Sequence, residues 1–280
     1  MAVIELLAAT EHGATMTEIA RALEVNQASC VHMLAALTTA GVVVREPDRR
    51  YHLGPALVRP GQLAADRYPE LAAARPEMAA LAATFEMACF AFAAADDHAR
   101  LVHYTWPPTQ PPPTVRLGET VPLTPPLGMV FVAWAPEADF AHWLALSPDL
   151  DTGRAARLRE QRAAIRRLGF VVEMAPPPTS QAALAQVLDD RASPHRDGQV
   201  HRLLAEDDAF LVTDLTGSRP LAVTGIAAPV FDATGRVTLG LNLVTLPASH
   251  AAADIGSIGV AVRAAADRAT ARIGGTTPNW

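Results

Sequence analysis

The chain has 280 residues, which is more than one hydrophobic core usually serves, so two domains are expected. Half of the residues are hydrophobic and 19% are charged, a composition typical of soluble globular proteins. The formal net charge of −6 excludes a global field that attracts nucleic acid or an anionic membrane, so any DNA contact must come from a local cluster of cations.

The composition also bears on where the protein works. The longest apolar stretches contain prolines or are too short to cross a bilayer, and the N-terminus has no basic flank of the kind that opens a signal peptide. Cys30 and Cys89 are too few for a disulfide framework and lie in apolar periodic segments. We therefore expect a cytoplasmic protein with reduced core thiols and no membrane partner. All 23 basic residues are arginine, which suggests GC-rich coding and a bacterial source.

The first sixty residues predict three short helices followed by a two-stranded hairpin. Helical periodicity from Val3 stops at Gly13, and a second helix is predicted to begin within Thr15–Thr17. Asn26 is the predicted N-cap of the third helix. The apolar stripe of that helix is predicted at Cys30, Val31, Leu34 and Leu37. Two short strands follow, on either side of a charged turn at 45–50.

This order of elements is typical of a winged helix-turn-helix, in which the third helix enters the major groove and the wing contacts the backbone. The groove-facing candidates lie on the third helix, and the phosphate-contacting candidates are the arginines of the wing. The predicted DNA-binding residues are Gln27, Ser29, His32, Arg45, Arg49 and Arg50. The alternative is a three-helix adaptor with a solvated hairpin turn.

The run from Met16 to Gly54 resembles the DNA-binding domain of the IclR family of bacterial transcriptional regulators. The resemblance is carried by residues 17–21 on the second helix, 31–34 on the third, Leu37, Gly41 and the closing residues 50–54. The family normally has arginine where this chain has His32, and a Ser-Thr pair where it has Ala28-Ser29. Both departures weaken the polar reach of the recognition helix, because a neutral imidazole cannot make the bidentate guanine contact of arginine.

After Gly54 the pattern predicts a linker helix and then mixed strands and helices. Arg75-Pro76 is similar to the family's linker, in which proline begins a new helix. The helix predicted from Asp151 to Gly169 carries six arginines, and a solvated face is favoured over a second DNA contact. A closing helix is predicted over Asp254–Ile273. The predicted strands are Ala88–Ala95, Arg100–Trp106, Phe170–Glu173, Leu211–Asp214, Leu221–Val230 and Val237–Leu246.

Residues 115–128 and 225–235 also resemble the IclR family, so the resemblance covers nearly the whole chain in the family's domain order. It implies two domains: an N-terminal winged helix-turn-helix, mainly α with a β-wing, and a C-terminal α+β GAF-like sensor domain joined by a linker helix. The predicted bounds are 1–59 for the DNA-binding domain, 60–75 for the linker helix and 76–280 for the effector-binding domain.

The resemblance further implies an effector pocket in the second domain. The residues carried over to it are Thr124, Leu127, Gly128, Met129, Asp214, Gly225, Asn242 and Val244. Asn242 and Val244 replace serines of the family, and Met129 replaces its usual lysine. These departures predict a larger, mostly apolar ligand oriented by Asn242 and Asp214 rather than a small carboxylate. The alternative is that Asn242 bonds a neighbouring loop while Met129 and Leu127 fill the pocket.

No catalytic signature accompanies these features. The sequence contains no G-x-S-x-G elbow, Walker loop or dinucleotide fingerprint. Two histidine groups, His98 and His103 beside Asp96-Asp97 and His195 with His201, have no recurring metal-ligand spacing. We therefore expect no catalytic residues, no metal, no cofactor and no enzymatic activity.

Together these observations predict a ligand-responsive, sequence-specific DNA-binding transcriptional regulator, a repressor controlled by a small organic effector. Its partners would be double-stranded DNA with a pseudo-palindromic operator and a second copy of the chain. An apolar first helix and an alanine-rich linker favour the homodimer, and the resemblance adds a dimer of dimers. The alternative is an effector-sensing or scaffold protein whose DNA-binding head has degenerated.

Overall fold

A computed structural model describes residues 2–8, 10, 12–65, 68–95, 97–107, 109, 117–147, 150–175, 186, 199, 210–244 and 250–278. The chain divides into two units, residues 1–68 and residues 69–280. The first unit contains the predicted helix-turn-helix and wing, and the second contains the predicted α+β fold, so the predicted fold class is confirmed.

The helices of the first unit begin where polar side chains cap them. Thr15 and Glu18 form a capping box, in which Thr15 N–H donates to Glu18 Oε2 over 2.8 Å and Glu18 N–H donates to Thr15 Oγ1 over 3.3 Å. Asn26 caps the third helix as predicted, because its Oδ1 accepts from Ser29 N–H over 2.8 Å. The helices described in this unit are α1 (Ala2–Ala8), α2 (Met16–Ala22), α3 (Gln27–Thr39) and α4 (Val58–Ala65), with a 3-10 turn at Pro55–Leu57.

A small antiparallel sheet completes the first unit, with the strand order β1-β3-β2. Its strands are β1 (Ala14–Thr15), β2 (Val43–Arg45) and β3 (Arg50–Leu53). The sequence pattern predicts the β2–β3 hairpin but not β1, since a two-residue strand has no alternation to detect. Buried residues of α1, α2, α3 and β2 form the core of this unit: Val3, Leu7, Ile19, Cys30, Leu34 and Val43.

Among the described residues of the second unit, seven strands form a sheet in the order β6-β5-β4-β11-β10-β7-β8, and each pair of neighbouring strands is antiparallel. The strands agree with the predicted ones to within a few residues, except that β6 was not predicted. Residues 245 and 246, the end of the last predicted strand, lie outside the described residues. The strands of this sheet are β4 (Ala88–Ala95), β5 (His98–Thr105), β6 (Thr120–Pro122), β7 (Val171–Met174), β8 (Leu211–Val212), β10 (Val223–Phe231) and β11 (Val237–Val244). A separate pair contains β9 (Pro220–Leu221) and β12 (His250–Ala251).

The two faces of the large sheet are covered by different helices. One face presents Ile226, Ala228 and Leu241, which lie in one core cluster with residues of α5 (Pro69–Phe85) and α9 (Ala252–Arg272). The opposite face presents Val171 and Ala227, which pack in a second core with the segment 123–147 and α8 (Thr152–Leu168). That segment includes α6 (Met129–Val132) and α7 (Glu137–Ala145). Side chains alternate between the faces along each strand, so neighbouring residues belong to different cores.

A buried charge joins α5 to α9. Glu77 is 5% exposed, and its carboxylate accepts from Arg268 Nε over 2.7 Å and lies 2.7 Å from Arg272 Nη2. Arg272 Nη1 also donates to the carbonyl of Ala73 over 3.1 Å. The sequence predicts that Pro76 begins a new helix, but this is wrong, because Pro76 lies inside α5. Pro76 lacks the N–H that a helical hydrogen bond needs. The side chains of Arg268 and Arg272 donate to Glu77 and to the carbonyl of Ala73 in the same turns of α5.

No described helix is long and apolar enough to cross a membrane.

Candidate functional site

The N-terminal half of α3 presents polar side chains to solvent. Gln27, Ser29 and His32 are all exposed, as their proposed role in the groove requires, while Cys30 and Leu34 on the other side of the helix are buried. Val31 was predicted in the buried stripe, and this is wrong, because Val31 is 49% exposed. The exposed surface of α3 is therefore partly apolar as well as polar.

The wing presents two of its three arginines to solvent. Arg45 and Arg49 are exposed, and the Arg45 guanidinium lies 5.7 Å from the centre of the Tyr51 ring. Arg49 closes the turn with a left-handed backbone, at a φ of 68°, and its N–H donates to the carbonyl of Glu46 over 2.9 Å. Non-glycine residues enter this region at a cost in free energy, so the turn holds Arg49 in a strained conformation.

Arg50 has partners inside the first unit. Its Nη1 donates to the carbonyl of Gly13 over 3.1 Å and lies 3.4 Å from Glu18 Oε2, while its Nε is 3.9 Å from Asp48. Hydrogen bonds from Thr15 lower the pKa of the Glu18 carboxyl, and Arg50 lowers it further. Arg50 therefore fastens the start of β3 to the beginning of α2, which leaves Arg45 and Arg49 as the more accessible cations of the wing.

The second unit contains a cavity of about 130 Å³ between the sheet and the segment that precedes α6. Most of its wall is apolar. The side chains that form the larger part of this wall are Phe92, Leu123, Leu127, Val130 and Phe131. The turn at 124–128 is fixed by Trp143, whose Nε1 donates to the carbonyl of Leu127 over 3.1 Å. The two polar side chains in the described lining are Asn242 and Glu173.

These two polar side chains stand on the same face of the sheet, on either side of Gly225. Glu173 of β7 is paired with Gly225 of β10, and Asn242 of β11 is paired with Ala227 of β10, two residues further on. A Cβ atom on Gly225 would lie 2.6 Å from Asn242 Oδ1, so the amide rests directly over the glycine. A side chain at residue 225 would therefore displace the amide.

Neither polar side chain has a hydrogen-bond partner among the described residues. Asn242 Oδ1 is buried without one, so the predicted alternative of a bond to a neighbouring loop finds no support there. Burial raises the pKa of the Glu173 carboxyl from 4.5 to about 7. A buried acceptor without a donor costs free energy, and a lone carboxyl in an apolar wall resists ionisation.

The structure brings some of the residues predicted for the pocket together and leaves others apart. Leu127, Gly128 and Asn242 line the cavity, and Gly225 lies beneath Asn242. The lining contains neither Thr124 nor the fully buried Met129, and Val244 packs instead with Phe90 and Tyr104. Asp214 is exposed on the surface, where its Oδ1 accepts from Thr216 Oγ1 over 2.6 Å.

Sequence reasoning missed Glu173, although the pattern contains a signal for it. Val171 and Glu173 are in phase on a short strand, and Val171 is fully buried, so an acidic residue two positions later faces the same interior. An acidic residue two positions after a buried apolar residue on the same strand is the signal that could have identified Glu173.

The arginine-rich helix α8 also differs from its prediction. A solvated face was expected, but Arg162 is 5% exposed and donates to the carbonyl of Ala133 over 3.0 Å. Arg166 Nε donates to the same carbonyl over 2.6 Å, and burial lowers the pKa of its guanidinium. The Arg162 guanidinium stacks 4.2 Å from the centre of the Phe140 ring. These two arginines hold the loop between α6 and α7, while others on the helix are exposed.

Metal ligation and thiol chemistry find no support in the described part of the chain. It contains no group of three histidine, cysteine or acidic residues that could hold a metal ion; Asp96, His195 and His201 lie outside it. Both cysteines are buried free thiols, as predicted, and burial raises the pKa of Cys89 to about 12. A thiol that stays protonated is a poor nucleophile.

Comparison with known families and structures identifies the N-terminal helix-turn-helix domain and the fold. The IclR helix-turn-helix domain matches residues 1–47. An IclR transcriptional regulator from Alicyclobacillus acidocaldarius is similar over 97% of this chain and 96% of its own, with 22% identity and a TM-score of 0.61. HmgR from Pseudomonas aeruginosa is similar over the same shares, with 20% identity and a TM-score of 0.62.

A third structure carries a ligand. An IclR homologue from Microbacterium hydrocarbonoxydans, solved in complex with 4-hydroxybenzoate, is similar over 98% of this chain and 99% of its own, with 15% identity and a TM-score of 0.55. No curated protein sequence matches the chain. The predicted resemblance is therefore confirmed, because the first 47 residues carry the helix-turn-helix of the IclR family and nearly the whole chain has the fold of IclR-type structures.

Proposed function

We propose that this protein, which carries an IclR helix-turn-helix domain on an IclR-type fold, is a sequence-specific transcriptional repressor whose DNA binding is controlled by a small organic effector. The observation that carries the proposal is the match of the helix-turn-helix over residues 1–47, in which the N-terminal half of α3 is left open to solvent. We assign DNA recognition to residues 1–59, the connection to residues 60–75 and effector binding to residues 76–280.

The proposed DNA contacts divide into two kinds. Gln27, Ser29 and His32 read base edges, because they lie at the exposed N-terminal end of the helix that enters the major groove. Arg45 and Arg49 bind phosphate through exposed guanidinium groups. Arg50 contributes mainly by holding the wing in place, since it is bonded to Gly13 and Glu18.

A salt titration tests these assignments. Binding to the gene's own upstream DNA is measured by fluorescence anisotropy at several salt concentrations, with a scrambled duplex of equal length as the control. Replacing Arg45 with alanine and Arg49 with glycine is expected to weaken binding to every duplex and to lower the salt slope by about one for each lost contact. Glycine is used at residue 49 because it accepts the left-handed backbone there.

The Gln27→Ala variant supplies the contrast. It is expected to change the preference among duplexes by about 1–3 kcal/mol per altered base pair while the salt slope stays the same. If the arginine variants altered base preference alone and left the salt slope unchanged, the division between base and phosphate contacts would be refuted.

A second candidate function has one specific observation in its favour. The exposed surface of α3 includes Ala28 and Val31, and the helix contains no arginine. A protein with such a recognition helix fits an effector sensor or scaffold with a degenerate DNA-binding head. Equal affinity for upstream and scrambled DNA at every salt concentration would favour this second candidate and contradict the first.

The cavity beneath Leu123 and Leu127 is the proposed effector site. A larger depression of about 650 Å³ lies beside α7, but its ionisable side chains Asp97, Asp139, His142 and Arg236 are exposed to solvent. In the smaller cavity, two polar side chains that have no hydrogen-bond partner among the described residues lie in an apolar wall, an arrangement common to ligand sites. The IclR homologue of similar fold that is complexed with 4-hydroxybenzoate supports a small organic molecule as the effector.

The proposed repressor acts in the cytoplasm as a homodimer that reads a pseudo-palindromic operator, with a dimer of dimers as the higher assembly. This assignment follows from the proposed DNA-binding function, because the two identical DNA-binding domains of a dimer read two half-sites one helical turn apart. Light scattering at micromolar concentration tests it. A mass of one chain, 29.6 kDa, would contradict the dimer and the operator symmetry together.

A further inference from the structure

The cavity in the second unit has an unusual balance of polar groups, because it offers acceptors and few donors. Asn242 Oδ1 is a buried acceptor without a partner among the described residues. The other polar atoms of side chains in the described lining are Asn242 Nδ2, which donates, and the carboxyl oxygens of Glu173, which accept when the group is ionised. The described lining contains no arginine or histidine.

We propose that the effector is a compact molecule, about the size of one aromatic ring, whose hydroxyl or amino group donates hydrogen bonds to Asn242 and Glu173. The same site rejects small carboxylates. This inference rests on the proposed effector role of the cavity and names the chemical class that it takes.

The size of the ligand follows from the cavity volume. An apolar cavity of about 150 Å³ accommodates benzene, and the cavity here measures about 130 Å³. Phe92, Leu127 and Phe131 supply an apolar wall against which a ring packs. A ligand of this size lies within the class predicted from the sequence, a mostly apolar molecule larger than a small carboxylate.

The charge of the ligand follows from Glu173. A ligand carboxylate would lie near an acidic side chain, and the described lining offers no cation to pair with its charge. A hydroxyl or amine satisfies the same acceptors without bringing negative charge. The pKa of the Glu173 carboxyl, raised by burial to about 7, agrees with a site that already has difficulty holding one negative charge.

Three probes of similar ring size separate donor, apolar and anionic ligands. Phenol, toluene and benzoate are titrated into the full chain at pH 7.5, and binding is followed by calorimetry and by the shift in melting temperature. Phenol is expected to bind about tenfold more tightly than toluene, as one hydrogen bond to a buried acceptor predicts, and benzoate is expected not to bind.

Two variants test each polar group separately. Asn242→Leu removes the amide acceptor and is expected to weaken phenol about tenfold while toluene keeps its affinity. Glu173→Gln removes the negative charge and is expected to let benzoate bind at least about tenfold more tightly than to the natural protein. Circular dichroism checks that each variant folds, and Asn242→Ala replaces the leucine variant if it does not.

Several results would overturn the inference. They are benzoate binding as tightly as phenol, toluene binding as tightly as phenol, and no binding of any probe, which would mean that the cavity holds only water. The DNA titration keeps this outcome separate from the proposed function. Specific DNA binding with a preference for benzoate overturns the inference alone, whereas phenol binding without specific DNA recognition overturns the repressor alone.

Discussion

Glu173 makes the stability of the second unit depend on pH, and the Glu173→Gln variant isolates that dependence. Its carboxyl lies in the wall of an apolar cavity, and burial raises its pKa from 4.5 to about 7. Below pH 4.5 the group is protonated in the folded and the unfolded chain. Between pH 4.5 and about 7 the folded chain keeps a proton that the unfolded chain has released, so stability falls as the pH rises.

The size of this effect follows from the difference between the two pKa values. At about 1.4 kcal/mol per pH unit, a pKa difference of about 2.5 corresponds to about 3–4 kcal/mol. Because Glu173 is partly accessible from the cavity, we expect about 2–3 kcal/mol. Glutamine has nearly the same shape and no charge, so the variant should be more stable than the natural protein at pH 8 by this amount and nearly equal to it at pH 4.5.

Urea unfolding followed by tryptophan fluorescence measures the difference, because all four tryptophans lie in residues 69–280. Trp134 and Trp143 are 5% and 2% exposed, so their emission reports loss of the core. Burial also lowers the pKa of His103, which acts with the opposite sign as the pH falls, but this contribution cancels between variant and natural protein. Glu160→Gln, on an exposed position of α8, is the matched control. If the difference in unfolding free energy between Glu173→Gln and the natural protein stayed the same from pH 5 to pH 8, the raised pKa of the Glu173 carboxyl would be refuted.

Three further substitutions probe packing and backbone. Glu77→Ala leaves two arginines of α9 without their carboxylate and should cost about 2–3 kcal/mol in urea unfolding, with Glu70→Ala as the control. Gly259→Ala should cost about 1–3 kcal/mol, because its Cβ would lie 2.1 Å from the Phe170 ring; an unchanged unfolding midpoint would contradict this contact. Arg49→Gly should stabilise the first unit by about 1 kcal/mol in thermal melts followed by circular dichroism, whereas Arg49→Ala should not, since only glycine relieves the positive φ.

Much of the first unit was predictable because its sequence signals are local. The N-cap at Asn26, the first turn of α2 and the wing each depend on residues a few positions apart, and the structure has all three as predicted. The strand β1 was not predictable, because its partner Tyr51 lies far along the chain from Ala14. The same holds for Arg50, which has the sequence context of a wing arginine but is bonded to Gly13, across the first unit.

The residues that line the cavity could be predicted only in part. Resemblance pointed to Asn242, and the structure has it in the wall, but resemblance also pointed to Asp214, whose carboxylate accepts from Thr216 on the surface. The acid in the cavity comes instead from β7, which the chain reaches some fifty residues before β10. Gly225 is what makes the arrangement possible, since any side chain there would displace the Asn242 amide and separate it from Glu173. A polar pair of this kind exists only once three strands are in register, so it follows from tertiary pairing rather than from any single segment.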